Sequence, residues 1–219
     1  MPAEKSESII LSLTPYRETS SILRLFTRNR GLVHGIAKGV RKGGKSASAP
    51  LDRGFLLEAQ LYYRPNRELH TLGNTHVTNF FPMIRANITK TAIRDIALEL
   101  CLKSIKQSDP HPELFDLILS FFVDMEESQD QEILFPRLWR FISSYCSFMG
   151  FAIDTENCKA CGIDSAAIKF IDDRNSLQHP RQKYEHIYIT ELLLDYCRRH
   201  LDITSRLNSF DFVKSIIRL

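Results

Sequence analysis

The sequence contains no continuous apolar run of the roughly 18 to 20 residues that a membrane-spanning helix needs. Its opening residues, MPAEKSES, are mostly polar and lack the apolar core of a secretory signal. We therefore expect a protein that neither spans a membrane nor is exported. With 43% apolar and 25% charged residues, the composition excludes a disordered acidic tail or a collagen-like repeat. A length of 219 residues allows one large domain or two small ones.

Cysteine is scarce, and its five residues are an odd number. Cys101, Cys146 and Cys197 lie in apolar, helix-like stretches, which predicts that they are small buried hydrophobic residues. Cys158 and Cys161 form the only closely spaced pair. This usage, together with the polar N-terminus, indicates a reducing cytoplasm rather than a disulfide-bonded secreted protein.

The net charge of +3 is divided unevenly along the chain. Residues 1–85 contain 13 Lys and Arg against 6 Asp and Glu, a net charge of +7. Residues 86–219 contain 16 against 20, a net charge of −4. This asymmetry indicates a first half that binds a polyanion and a different second half, although basic residues can also simply solvate a surface.

The first half has the pattern of five short strands separated by turns, a pattern typical of a small antiparallel barrel. An OB-fold barrel is the predicted structure, and an SH3-like barrel is the alternative. We place this domain at residues 1–82 and expect Phe26 to fill the barrel interior. The predicted strands cover residues 7–13, 20–27, 32–37, 55–63 and 68–79.

The glycine-rich segment from Lys38 to Lys45 has four cations in eight residues. Its Gly-x-x-x-Gly-Gly-Lys-Ser order is one residue short of the P-loop spacing, and no helical pattern follows it, which excludes a nucleoside triphosphatase. A flexible basic loop that follows a nucleic-acid backbone is the better interpretation, and a merely solvated loop is the alternative. The DNA-binding candidates are Tyr16, Arg17, Arg24, Arg28, Arg30, Lys38, Arg41, Lys42, Lys45, Arg53 and Arg64.

Aromatic residues alternate with these cations, as they do on surfaces where bases stack. Tyr16 precedes Arg17, and Tyr62 and Tyr63 precede Arg64. Tyr16 and whichever of the two adjacent tyrosines faces outward are candidates for stacking, while the alternative is that they are part of the core.

The second half, residues 83–219, has the periodicity of amphipathic helices that form a compact bundle. Thr190 is a candidate N-cap for the helix at residues 191–200. Arg137 and Arg140 flank Trp139, and an apolar groove with an arginine rim would receive an acidic, partly apolar peptide. The alternative is that Trp139 is a core residue and the arginines are solvated. The other predicted helices cover residues 89–106, 113–125, 133–149 and 209–217.

A zinc-finger-like segment is predicted at residues 155–187. Cys158-Lys-Ala-Cys161-Gly162 matches half of a zinc knuckle. Where a second cysteine pair is expected, the chain has His179 and Gln182, and glutamine is a poor zinc ligand. Cys158, Cys161 and His179 are therefore an incomplete ligand set, and we expect no required cofactor, with bound zinc as the alternative.

The order of several motifs resembles the RecO family of bacterial recombination mediators over nearly the whole chain. The motifs are Pro15-Tyr-Arg-Glu-Thr19, Leu25-Phe-Thr-Arg28, Gly31-Leu-Val-His-Gly-Ile-Ala-Lys-Gly-Val-Arg41, and Gly150-Phe-Ala-Ile-Asp154 followed by the Cys158 segment.

The resemblance implies an N-terminal OB-fold that binds single- and double-stranded DNA, followed by a helical domain with a zinc module in many members. It implies annealing of complementary strands and, with RecR, help in loading RecA onto DNA coated by single-strand-binding protein. It also implies that the acidic C-terminal tail of that protein docks on the helical domain, and a cytoplasmic, nucleoid-associated location. On this resemblance, the basic loop corresponds to Lys38, Arg41 and Lys42, and the arginine of the long helix to Arg140.

No constellation of residues for covalent catalysis is visible in the sequence, so we expect a protein that is not an enzyme. Annealing needs only neutralised phosphates and base edges that stay free to pair. The alternative is an OB-fold module that binds nucleic acid or protein without annealing. A hydrolase is a more distant alternative.

Overall fold

Five strands close into a barrel in the order β1-β2-β3-β5-β4. The structure, a computed structural model, describes residues 3–40, 51–153 and 183–217. The strands are β1 (Glu4–Tyr16), β2 (Ser20–Thr27), β3 (Gly31–Ala37), β4 (Leu56–Tyr62) and β5 (Leu69–Asn79).

The long first strand closes the barrel, because its halves pair with different neighbours. Residues 8–16 of β1 pair antiparallel with β2, and residues 4–9 pair antiparallel with β4. A register shift between Ile10 and Ser12 accompanies the change of partner. The parallel pairing of β3 with β5 completes the ring. This five-stranded closed arrangement is OB-like and confirms the predicted fold class.

The barrel interior is filled by alternating residues of its strands, including Leu23, Leu25, Val33 and Leu57. Phe26 is fully buried, as expected, but it is adjacent to Leu25 and therefore lies on the opposite face of β2. Its ring packs against Phe115, with centroids 5.8 Å apart. The prediction that Phe26 fills the barrel interior is therefore wrong, because a helical residue covers that part of the outer face.

Residues 101–115 cover this part of the outer face of the barrel, and they cluster with residues 1–81 as one compact unit. The Ser108 backbone N–H donates to the Leu32 carbonyl at 3.0 Å. The Gln107 side chain donates to the Glu68 carbonyl at 2.8 Å. The second compact unit comprises residues 82–100 and 116–219.

Six helices are present in the described part of the second half. They are α1 (Pro82–Ala86), α2 (Ile88–Ser104), α3 (Pro112–Glu127), α4 (Leu134–Phe148), α5 (Lys183–His200) and α6 (Asn208–Ile217). The short α1 has no counterpart in the sequence prediction, and α5 begins well before the predicted cap at Thr190. None of the described helices is both long enough and apolar enough to cross a bilayer.

Thr190 is an interior residue of α5, and it is fully buried. Its hydroxyl donates to the His186 carbonyl at 2.7 Å and accepts the indole N–H of Trp139 at 2.9 Å. The predicted capping role is therefore wrong, since a buried tertiary hydrogen bond accounts for the threonine instead.

The three helical cysteines are buried, as predicted. Cys146 on α4 and Cys197 on α5 lie with their sulfur atoms 3.3 Å apart. The hydrogen bond with the Cys146 thiol and burial raise the pKa of the Cys197 thiol, so this sulfur serves as a packing group.

Candidate nucleic-acid interface

One row of residues crosses all five strands on the outer face of the barrel. Strand register places Thr14 opposite Ile22, Ile22 opposite Ile36, Ile36 opposite Thr71, and Thr71 opposite Tyr62. Residues directly opposite each other point to the same face of a sheet. All five side chains are at least partly exposed, and Tyr62 is 39% exposed. The row therefore offers a mildly apolar surface with one exposed aromatic ring.

Arg24 and His34 form the neighbouring row on the same face, directly opposite each other on β2 and β3. Arg24 is exposed and His34 is half-buried. Burial lowers the pKa of His34, the charge of Arg24 lowers it further, and Glu68 opposes the change. His34 is therefore neutral near pH 7, and Arg24 supplies the positive charge of this row.

The turn between β1 and β2 carries Tyr16 and Arg17. The guanidinium of Arg17 lies 5.2 Å from the centre of the Tyr16 ring. Arg17 is exposed and has a positive φ of 53°. OB-folds commonly contact nucleic acid through this turn and through the loop between strands 4 and 5.

Arg28 and Arg30 are held in ion pairs within the barrel. The Arg28 Nε donates to Glu7 at 2.9 Å, and its guanidinium lies 4.6 Å from the Phe115 ring centre. The Arg30 Nε and Nη2 both donate to Glu4, the shorter contact being 2.7 Å. The hydrogen bond to Glu4 raises the pKa of Arg30. Much of the charge of these two arginines is therefore compensated locally.

The loop between β4 and β5 exposes Arg64 and Arg67. Tyr63, at its start, is half-buried and stacks on His70 with ring centroids 4.5 Å apart. Of the two adjacent tyrosines, Tyr62 is therefore the outward-facing one, while Tyr63 packs against the barrel core.

The remaining DNA-binding candidates fall into two groups. Lys38 and Arg53 are exposed on the barrel unit. Arg41, Lys42 and Lys45 lie outside the described residues. Sequence reasoning missed the contribution of Ile22, Ile36 and His34 to one surface. The alternation along each strand predicts that these side chains point to the outer face, but only the register between strands shows that they lie side by side.

A groove lies between α3 and α4 in the helical unit, with a volume of about 140 Å³. Phe121 and Phe141, stacked with centroids 4.7 Å apart, contribute its apolar lining. Both Arg137 and Arg140 also line it. Trp139, by contrast, is fully buried, so the alternative interpretation of that residue as core is correct.

Asp124 is the acidic residue at this groove. The Arg137 Nη1 donates to the Asp124 backbone carbonyl and lies 3.9 Å from its carboxylate. Arg140 is exposed, and its Nε lies 3.5 Å from the Pro136 carbonyl. The groove therefore has an arginine rim, and an intramolecular carboxylate already lies near one of the two arginines.

The zinc candidates Cys158, Cys161 and His179, and nearly all of the segment 155–187, lie outside the described residues. In the parts of the chain that the structure does describe, no three His, Cys, Asp or Glu residues cluster as metal ligands.

Two family models match the chain and together span nearly all of it. The model described as "Recombination protein O N terminal" matches residues 1–81. The model described as "Recombination protein O C terminal" matches residues 85–218. Their boundaries fall in the short stretch between the barrel and α2.

Curated proteins with similar sequences carry the name DNA repair protein RecO. The protein of Syntrophobacter fumaroxidans is 29% identical over 196 residues, which are 88% of this chain and 76% of that protein. Those of Geobacter metallireducens and Listeria monocytogenes are 27% and 28% identical over 76% and 80% of this chain, in each case 66% of the relative. The matched region thus spans about two thirds to three quarters of these relatives.

Proposed function

The chain belongs to the recombination protein O family, and from this membership we propose that it is a DNA-binding repair mediator rather than an enzyme. It binds single- and double-stranded DNA through its barrel and anneals complementary strands. With RecR, it helps load RecA onto DNA coated by single-strand-binding protein. Homologues named for DNA repair support the repair role.

The observation that carries this proposal is the composition of the outer barrel face. Exposed Arg24 and the row ending in Tyr62 cover the strands, while Arg17 and Arg64 lie in the two loops through which OB-folds commonly contact nucleic acid. Cations neutralise phosphates, and stacking on an exposed ring contributes on the order of 1–3 kcal/mol per base without sequence preference. Such a surface holds backbones and leaves base edges available for pairing.

A strand-annealing assay tests the proposal. Complementary oligonucleotides coated with single-strand-binding protein are mixed with the wild type or with a variant carrying Lys38→Ala, Arg41→Ala and Lys42→Ala. We expect the wild type to accelerate annealing and the variant to bind DNA more weakly, with a smaller salt dependence, since each single-strand phosphate contact contributes about 0.7 to the slope.

The matched control removes three exposed cations of the helical half, Arg85, Arg198 and Arg199, and should anneal like the wild type. DNA binding without any acceleration of annealing would favour the alternative of an interaction module. Metal- or ATP-dependent turnover of the DNA would contradict a non-enzymatic role.

The groove at Arg137 and Arg140 is our proposed site for the acidic C-terminal tail of single-strand-binding protein. Its support is the pairing of an apolar lining with a cationic rim, which matches an acidic peptide that also carries apolar residues.

We further propose that no metal is needed for DNA binding. Chelator-treated protein should bind DNA as tightly as untreated protein, and metal analysis of the purified protein should give less than about a tenth of an equivalent of zinc, because the ligand set is incomplete. A full equivalent of zinc would contradict this.

A further inference from the structure

Four side chains form a continuous stack at the end of the barrel where β4 and β5 are joined. The Glu4 carboxylate accepts hydrogen bonds from Nε and Nη2 of Arg30 at 2.7 to 3.0 Å. The Arg30 guanidinium lies 4.2 Å from the centre of the Tyr63 ring. Tyr63 also stacks on the His70 ring, with 4.5 Å between the ring centroids. We call these four residues the Arg30 stack.

The last member of the Arg30 stack holds the backbone of the β4–β5 loop. The Arg64 N–H donates to Nδ1 of His70 at 3.2 Å. His70 is only 3% exposed, so this bond is shielded from water. Within the loop, the Arg67 N–H donates to the Arg64 carbonyl at 3.1 Å, which closes a turn.

A second set of contacts ties the same loop to the segment that follows α2. The Tyr63 hydroxyl lies 3.3 Å from the Ser108 hydroxyl. The Gln107 side chain donates to the Glu68 carbonyl at 2.8 Å. Both ends of the loop are therefore anchored, and its two arginine side chains remain exposed.

Arg30 itself is poorly suited to contact phosphate. Two of its N–H groups are used by Glu4, and the face of its guanidinium is occupied by Tyr63. Its charge is compensated by the carboxylate that holds it. Arg64 and Arg67, in contrast, are exposed cations on a loop whose backbone is held in place.

We propose that Arg30 is a positioning residue, whose stack with Glu4, Tyr63 and His70 holds the β4–β5 loop so that Arg64 and Arg67 contact the DNA backbone. This inference rests on the proposed DNA-binding function. It assigns Arg30 a structural role within the site and adds Arg67 to the phosphate contacts.

Two substitutions test this role without lowering the positive charge of the barrel. Glu4→Ala raises the net charge by one and releases Arg30, while Arg30→Lys keeps the charge but loses the planar, two-pronged group that stacks and pairs with Glu4. If Arg30 contacted phosphate, Glu4→Ala, which frees its guanidinium, would bind a single-stranded oligonucleotide at least as tightly as the wild type. We expect both to bind about three- to tenfold more weakly at 0.15 M salt, because one or two phosphate contacts of the β4–β5 loop are lost.

Glu58→Ala is the matched control, because Glu58 is an exposed barrel carboxylate that pairs with Lys5 at 2.9 Å and belongs to no stack. It should bind DNA as tightly as the wild type or slightly more tightly. The double variant Arg64→Ala, Arg67→Ala should reduce the salt slope by about 1.4, and adding Glu4→Ala to it should cause no further loss. Circular dichroism at the assay temperature verifies that each variant is folded.

The outcomes separate the two proposals. A wild type that binds no DNA refutes the proposed function. A wild type that binds DNA, with Glu4→Ala and Arg30→Lys both within twofold of it, refutes the positioning role and leaves the proposed function standing. If Glu4→Ala unfolds, Glu4→Gln, which removes the charge that pairs with Arg30, decides in the same way.

Discussion

Gly31 shows how one residue meets a local and a distant requirement at once. It ends the turn between β2 and β3 with a positive φ of 64°, which the Asn-Arg-Gly sequence indicates. A Cβ atom there would also lie 1.9 Å from the carbonyl oxygen of Asp109, a contact that no local pattern reveals. The backbone of the segment that covers the barrel therefore approaches β3 closely only because position 31 has no side chain.

Replacing Gly31 should lower the free energy of unfolding by more than the strain of its positive φ alone would. We expect Gly31→Ala to lower the free energy of unfolding by more than about 2 kcal/mol, since the strained φ and the clash with Asp109 add. Gly39→Ala is the control, because Gly39 also has a positive φ, 74°, but no atom of the described residues lies within 4 Å of the added Cβ. Its loss should be about 1 kcal/mol. Urea denaturation measures both, and equal losses would show that the Asp109 contact is unimportant.

At the scale of elements, a helix or strand was predicted well where its own residue pattern determines it, and poorly where a contact with a residue distant in the sequence does. Alternation along β2 and β3 and the apolar stripe of α4 predict those elements closely, because each buries a regular face. The start of α5 was missed because Thr190 has the residue type of a cap but bonds to Trp139, which is distant in the sequence. The start of α6, in contrast, was predicted to within one residue, although Glu99, which is distant in the sequence, accepts its Asn208 and Ser209 N–H groups.

For the candidate site too, the residue types were predictable from the sequence, but the contacts between distant residues were not. Composition identified the cations and the aromatic residues of the first half, because charge density needs no structure to be counted. It could not separate exposed Arg24 from Arg28 and Arg30, since their carboxylate partners Glu7 and Glu4 lie on another strand. Which cations are compensated is set by strand pairing.

The groove between α3 and α4 gives a prediction at this scale. Asp124 is an exposed carboxylate beside Arg137, so it competes with an acidic peptide for the cationic rim. We expect Asp124→Asn to bind the tail peptide of single-strand-binding protein about two- to threefold more tightly, the size typical of an exposed charge pair. Arg140→Ala should bind it more weakly by a similar factor. Fluorescence anisotropy with a labelled peptide measures both.

Glu127→Gln provides the charge-matched control, because Glu127 is exposed at the end of α3 and does not line the groove. A gain in this variant equal to that of Asp124→Asn would mean that the peptide responds only to overall charge. Tight binding that is insensitive to both Asp124 and Arg140 would place the tail elsewhere.

For the whole molecule, the net charge of +3 conceals a cationic first half and an acidic second half. Of the 13 Lys and Arg in residues 1–85, Arg28 and Arg30 are compensated locally by ion pairs with Glu7 and Glu4. The proposed DNA binding therefore depends on fewer cations than the sequence contains. The net negative charge of the second half disfavours DNA there, which supports the proposal that its arginine-rimmed groove receives a protein tail.

Two barrel histidines make the stability of the molecule depend on pH. Burial lowers the pKa values of His34 and His70. Arg24 adds to this effect at His34, where Glu68 opposes it, and both Arg30 and His34 add to it at His70. In the unfolded chain, both imidazoles have a pKa near 6.5. As the pH falls below this value, the unfolded state binds protons before the folded state does, so the free energy of unfolding decreases.

Thermal denaturation at pH 7.5, 6.5 and 5.5 should therefore show a Tm that falls slightly between pH 7.5 and 6.5 and by a further few degrees between pH 6.5 and 5.5. His34→Gln removes one of the two titrating groups and should flatten this dependence. His76→Gln is the control for replacing a barrel histidine, because His76 is exposed on β5. If His34→Gln and the wild type lost the same Tm on acidification, protonation of His34 would not contribute, and the loss would have to come from His70 or from groups outside the barrel.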